Sequence, residues 1–129
     1  MNLLLDTQIA IWWQIAPARI TQQMQTLVMD SASAVWVSRA SLWEMAVKIS
    51  LGKLRIELDR FVTQLRDDGF QLLGIETPHI LELTRLPLHN DHKDPFDRLL
   101  VAQSISEPLT LITADAKLGR YGSTVKVLA

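Results

Sequence analysis

The sequence predicts an α/β fold built on a central, mainly parallel sheet of four to five strands. Three observations carry this. Short apolar runs alternate with segments of helical periodicity along the whole chain. The runs are continuous rather than alternating, as strands covered on both faces require. Capping and breaking residues fall between the two kinds of segment.

Leu3-Leu4-Leu5 is the first strand, broken at Asp6. Asp6 or Thr7 can cap a helix running to about Ile15, which Pro17 ends. Ile20, Met24, Leu27 and Val28 recur at helical spacing and predict a second helix near residues 20–30. Ala34-Val35-Trp36-Val37 is a second strand, followed by Ser38 as a cap. Leu42, Met45, Ala46 and Ile49 mark the buried face of a third helix that stops at Gly52. Asp59 is expected to cap the next helix, with Phe61, Val62 and Leu65 on it and Gly69 as its stop. Phe70 to Ile75 is a third strand candidate, and Pro78 opens a short helix holding Ile80, Leu81 and Leu83. Pro87 to Lys93 reads as a polar, solvated loop. Asp94-Pro95 starts a helix with Asp94 as N-cap and Pro95 in the first helical position. Phe96, Leu99, Leu100 and Ser104 are expected on one side of it. Leu109 to Ile112 and Val125 to Leu128 complete the strands. Strands alternating with helices imply a parallel α/β sheet. No repeat or linker interrupts the 129 residues, so one domain is expected over residues 1–129.

Composition narrows the class. Apolar residues make up 48% and charged residues 21%, which is globular and excludes disorder. There are no cysteines, which excludes a disulfide framework and thiolate metal sites. The N-terminus has no basic n-region and no apolar run can span a bilayer, so a cytoplasmic protein without membrane contact is expected. A formal net charge of −1 speaks against a non-specific nucleic-acid binder. Docking to RNA would need a local basic rim, drawn from Arg39, Lys48, Lys53, Arg55, Lys93, Arg98, Lys117 and Arg120, or bound cations. Scattered surface charge also accounts for most of these.

Ligands of open parallel sheets bind at the carboxyl ends of the strands. Asp6 follows the first strand, Asp115 the fourth, Glu44 lies in the helix after the second, and Asp97 in the first turn of the helix before the fourth. Each has an ordinary role when taken singly. Asp6 can cap a helix, Glu44 can pair with Lys48 at i,i+4, Asp97 suits a helix N-terminus, and Asp115 a turn. Together they can form a carboxylate cluster. Such a cluster repels itself unless a cation is present, and all-oxygen ligation points to Mg²⁺ or Mn²⁺.

Several motifs resemble the PIN-domain family, and within it the VapC-type toxins of type II toxin–antitoxin pairs. They are Leu3-Leu4-Leu5-Asp6-Thr7, Ser41-Leu42-Trp43-Glu44-Met45-Ala46-Val47-Lys48, Leu51-Gly52-Lys53-Leu54, His92-Lys93-Asp94-Pro95-Phe96-Asp97-Arg98-Leu99-Leu100-Val101-Ala102-Gln103 and Leu111-Ile112-Thr113-Ala114-Asp115. They occur in the family's order, and Asp-Pro-Phe-Asp-Arg-Leu-Leu is the most specific. The resemblance implies a PIN-like three-layer α/β/α fold. It implies a metal site of Asp6, Glu44, Asp97 and Asp115, with Asp94, Thr113, Thr7 and Arg98 as accessory candidates. It further implies a Mg²⁺- or Mn²⁺-dependent endoribonuclease cutting structured RNA, such as transfer or ribosomal RNA, by a metal-activated water. One ion is expected, or two about 4 Å apart. A cognate VapB-like antitoxin and a homodimer are the implied partners. An antitoxin segment with a basic side chain would block the site. Trp12, Trp13 and Trp43 can serve that interface or the core.

Three rivals carry less. His89 and His92, with Asp91 and Asp94, can compose a zinc hydrolase site. A receiver-like phosphoacceptor domain shares the strand–Asp pattern but needs an acidic pair where Leu4-Leu5 stand. A catalytically weak PIN-like scaffold or RNA-binding protein is the remaining alternative, although all four acids are present.

Overall fold

A computed structural model describes residues 1–128. Five strands form one sheet in the order β3-β2-β1-β4-β5, and every neighbouring pair is parallel. In chain order the strands are β1 (Asn2–Leu5), β2 (Ala34–Ser38), β3 (Gln71–Leu73), β4 (Thr110–Thr113) and β5 (Val125–Val127). The helices are α1 (Thr7–Ile15), α2 (Gln22–Met29), α3 (Arg39–Ser50), α4 (Leu58–Asp67), α5 (Thr77–Leu83) and α6 (Pro95–Ser106). Short 3₁₀ turns cover Pro17–Arg19 and Ala116–Tyr121.

The continuous apolar runs have the cause expected of them. Leu3 and Leu5 point into one core, with Ile9, Met24, Val28, Met45, Phe61 and Leu65. Leu4 points into a second core, with Ala40, Leu99, Leu100, Val101, Leu111 and Leu118. Successive strand residues face opposite sides, so a strand under helices on both faces has no polar position to spare. The result is a three-layer sandwich. Helix α6 departs from the one-sided expectation. Leu99 through Ser104 are buried in succession, because the sheet covers one side of α6 and α5 packs on another.

Several ends move by a few residues. The third strand shortens from the expected Phe70–Ile75 to Gln71–Leu73. Phe70 is spent closing α4, with its N–H bonded to Leu65 O at 2.9 Å and its ring buried beside Trp13. Asp59 is not the N-cap of α4. The helix begins at Leu58 after Glu57, and Asp59 sits in the first turn, where its charge suits the helix dipole. Gly52 and Gly69, at φ 72° and 80°, take the left-handed conformation that ends α3 and α4.

The strand order positions the site. The chain goes outward from β1 to β2 and β3, then crosses back to β4 on the other side of β1. The connections therefore diverge at the carboxyl ends of β1 and β4, leaving a crevice there. No helix of the described residues is long and apolar enough to cross a membrane.

Candidate metal centre

Asp6 leaves β1 at that crevice. Its N–H continues the ladder to Ile112 O at 3.0 Å. Its side chain caps α1 by accepting from Ile9 N at 2.8 Å. The capping role and the crevice position thus belong to the same residue. Thr113, at the end of β4, donates its hydroxyl hydrogen to the other Asp6 oxygen at 2.5 Å and accepts from Asp115 N at 3.0 Å. One buried hydroxyl therefore spaces two of the acids. Asp115 also caps the following 3₁₀ turn through Lys117 N.

Glu44 comes from α3, capped by Ser38 at the end of β2. It shares the inward face with Ala40, Ser41 and Met45. Thr7 donates to Ser41 Oγ at 2.8 Å and so ties the starts of α1 and α3 together. Glu44 is only 6% exposed. One of its oxygens pairs with Lys48 Nζ at 2.9 Å, and the other, Oε1, is buried with no hydrogen-bond partner. Asp94 caps α6 through Phe96 N and Asp97 N, and Pro95 follows it at the first helical position. Asp97, in the first turn of α6, does not reach back to complete a capping box but turns toward His92.

These residues share one cleft of about 370 Å³, lined by Asp6, Thr7, Gln8, Trp12, Glu44, Lys48, Asp94, Asp97, Ala114, Asp115 and Leu118. A groove of about 560 Å³ between α1 and α4 is larger, but it gathers Trp13, Arg55, Arg60, Glu57 and Asp68 rather than a carboxylate cluster. Chemistry, not size, selects the smaller cleft. Burial raises the Asp6 carboxyl from 3.8 to about 6, against the lowering effect of the Thr113 and Ile9 bonds, and the charges of Glu44 and Asp115 push the same way. Burial also raises Asp97 to about 6, with Asp94 adding to it, His92 opposing it, and Glu44 and Asp6 contributing further. The acids thus resist ionising together, the condition a divalent cation relieves. Oxygen atoms of Asp97 and Asp115 and a ring nitrogen of His92 lie within 4.8 Å of one another. An orphaned buried carboxylate oxygen and the cluster of carboxylates around it fit a hard divalent cation.

The PIN domain family matches residues 3–123. The chain belongs to the PIN domain family. Solved structures agree with the fold of this PIN domain. One is VapBC2 from Rickettsia felis, bound to a DNA fragment from their promoter. It is 15% identical, with a TM-score of 0.68 over 99% of this chain and 98% of that one. Another is a toxin–antitoxin complex from Klebsiella pneumoniae. It is 18% identical, with a TM-score of 0.65 over 97% and 96%. A third is a domain of a functionally unknown protein from Methanocaldococcus jannaschii. It is 15% identical, with a TM-score of 0.59 over 99% and 91%. No curated protein matches the sequence.

Two sequence expectations need correction. Arg98 does not border the cleft. Its Nη1 donates to Pro87 O at 2.8 Å and to Tyr121 Oη at 3.3 Å, and its guanidinium lies over the Tyr121 ring. The 87–93 loop is not simply solvated either. His92 is 7% exposed, and its ring lies between Tyr121 and Asp97. His89 stacks edgewise on Tyr121 instead of joining His92 in a ligand set. The zinc arrangement of those two histidines is therefore absent among the described residues. Periodicity had no means of finding His92, because a loop carries no repeating pattern. Gln8 was also missed as a cleft residue, since its place depends on how α1 lies across the crevice, and Trp12, named for the interface or the core, lines the cleft.

Proposed function

We propose that this PIN domain is a Mg²⁺- or Mn²⁺-dependent endoribonuclease, the toxin of a toxin–antitoxin pair acting on structured RNA in the cytoplasm. Residues 1–129 would form one catalytic unit. The observation that carries the reading is the meeting of five carboxylates at the β1/β4 crevice, with one Glu44 oxygen buried and unpartnered. A family whose members are in general nucleases, and toxin–antitoxin assemblies among the similar folds, support the same reading.

Asp6 and Asp97 would be the principal metal ligands, with Glu44 and Asp115 completing the set and Asp94 at its edge. The bound cation would supply charge neutralisation at a phosphodiester and a reactive water at neutral pH. The chain's own contribution is preorganisation. Thr113 fixes one Asp6 oxygen and the Asp115 backbone, and the Ile9 N–H fixes the other Asp6 oxygen. Lys48 holds Glu44 from one side. The Thr7–Ser41 bond keeps the helices carrying Asp6 and Glu44 in register. A substrate phosphate would approach through the open side, where Asp94 and Asp115 are exposed.

The proposed antitoxin would place a basic side chain among the carboxylates and so replace the cation's charge. A homodimer is proposed on the α3 and α5 surfaces, where Trp43 on α3 is 57% exposed, and Ile80 and Leu81 on α5 and Leu51 just past α3 are exposed as well. Both helices flank α6.

The test is cleavage of total cellular RNA by purified, antitoxin-free protein with Mg²⁺, with Mn²⁺ and with a chelator, beside Asp6→Asn and Asp97→Asn. Discrete fragments that need metal and disappear in both variants are expected. Cleavage that persists in the chelator, or in either variant, would remove the proposed site.

A further inference from the structure

His92 belongs to none of the regular elements, yet it is buried and every polar atom of its ring is engaged. The loop that carries it folds back on itself, with His92 N bonded to His89 O at 3.0 Å. Nδ1 lies 3.0 Å from Tyr121 Oη, and Nε2 lies 3.2 Å from Asp97 Oδ2. The rings of His92 and Tyr121 meet edgewise at 5.6 Å. Behind Tyr121 stands Arg98, anchored on Pro87 O.

The donors and acceptors in this chain favour one direction for the neutral ring. Arginine only donates, so Tyr121 Oη accepts from Arg98 and has its own hydrogen left to give. The ring nitrogen at 3.0 Å is better placed for it than the His92 carbonyl at 3.4 Å. Nδ1 then accepts, the proton of the neutral ring sits on Nε2, and Nε2–H donates to Asp97 Oδ2. A doubly protonated ring would donate to Asp97 as well. Asp97 Oδ1 has no hydrogen-bond partner among the described residues and stays free for the cleft.

We infer that His92, backed by Tyr121 and Arg98, is a positioning residue that holds one oxygen of Asp97 so that the other is presented to the cation. The inference rests on the metal-site reading above. A carboxylate on one turn of helix can rotate, and a partner of this kind typically changes metal affinity about 10- to 100-fold. His92 acts through Asp97 and does not itself touch the ion.

The test is calorimetric titration of the purified chain with Mn²⁺ alone, for wild type, Asp97→Asn, His92→Leu, His92→Gln and Tyr121→Phe. Thermal unfolding in a chelator shows which variants fold. Wild type is expected to bind and Asp97→Asn to lose binding. His92→Leu should weaken binding about 10- to 100-fold. His92→Gln, whose amide keeps a donor near the place of Nε2, should recover most of that loss. Tyr121→Phe should weaken binding by less than His92→Leu. With RNA as substrate, His92→Leu should lower kcat with little change in KM.

His92→Leu binding Mn²⁺ as tightly as wild type overturns the inference while leaving the metal site standing. So does His92→Gln binding no better than His92→Leu, or an imidazole nitrogen coupled to Mn²⁺ in electron spin echo spectra, which would make His92 a ligand. Should His92→Leu not fold, full-strength binding by a folded Tyr121→Phe has the same meaning. Failure of wild type to bind Mn²⁺ removes the metal-site reading itself.

Discussion

Asp6→Asn should make the metal-free protein more stable at neutral pH while abolishing its response to metal. Burial and the neighbouring acids raise the folded-state carboxyl of Asp6 from 3.8 to about 6. At about 1.36 kcal/mol per pH unit, the rise from 3.8 to about 6 corresponds to about 3 kcal/mol. Below pH 4 the carboxyl is protonated in both states and contributes nothing. Between about pH 4 and 6 the unfolded chain ionises while the folded site stays protonated, so stability falls as pH rises. Above about pH 6 the full penalty is present. Asparagine is neutral throughout and can still cap α1 through Ile9 N, but it weakens the Thr113 bond, which costs about 1 kcal/mol. A net gain of about 2 kcal/mol at pH 7.5 follows. Urea unfolding in a chelator at pH 4, 5, 6 and 7.5 reads it as a growing difference in midpoint between variant and wild type. With saturating Mg²⁺ the order should reverse, because only wild type gains ligand stabilisation. A difference that does not change with pH, or a variant less stable than wild type at pH 7.5 in the chelator, would refute the argument that the Asp6 charge is buried and uncompensated.

Three further substitutions probe other parts of the reasoning. Thr113→Val removes the donor to Asp6 and the acceptor of the Asp115 N–H. It should cost about 1–3 kcal/mol and move the Asp6 carboxyl higher still, which carboxyl-carbon NMR titration would show. Asp94→Ala should cost about 1 kcal/mol in urea unfolding through the lost cap on α6. It should also lower the Asp97 carboxyl toward its ordinary value by removing the neighbouring charge, and an unchanged Asp97 titration would contradict that. Leu100→Ala, at a fully buried position of α6, should cost about 2–5 kcal/mol. A loss under 1 kcal/mol would mean the second core is less tightly packed than described.

The parallel sheet was legible because of a simple constraint. A strand between two helix layers must be apolar on both faces, and Leu3-Leu4-Leu5 and Leu111-Ile112 are. The cap at Asp94-Pro95 and the glycine stops at Gly52 and Gly69 were legible because backbone conformation there depends on one or two residues. Asp59 misled because an acid suits both the cap and the first turn, and nothing local separates the two. α6 misled because its burial depends on α5, a segment whose docking no periodicity records.

The acids divide the same way. Their identities and their positions after strands or at helix starts stand in the chain itself, since a strand ends where an Asp breaks the apolar run. Their meeting does not. Asp6 and Asp115 become neighbours through the β1–β4 pairing, between residues more than a hundred apart. Glu44 reaches the cleft because α3 turns that face inward. The shared burial that raises Asp6 and Asp97 exists only once the layers close. His92 and Arg98 show the limit most clearly. A histidine in a polar loop was drawn under Tyr121 to Asp97, and an arginine beside the acids was turned away from them. Caps, strand runs and turns follow from interactions over a few residues, whereas the direction of a side chain and the field it meets are set by packing between distant segments.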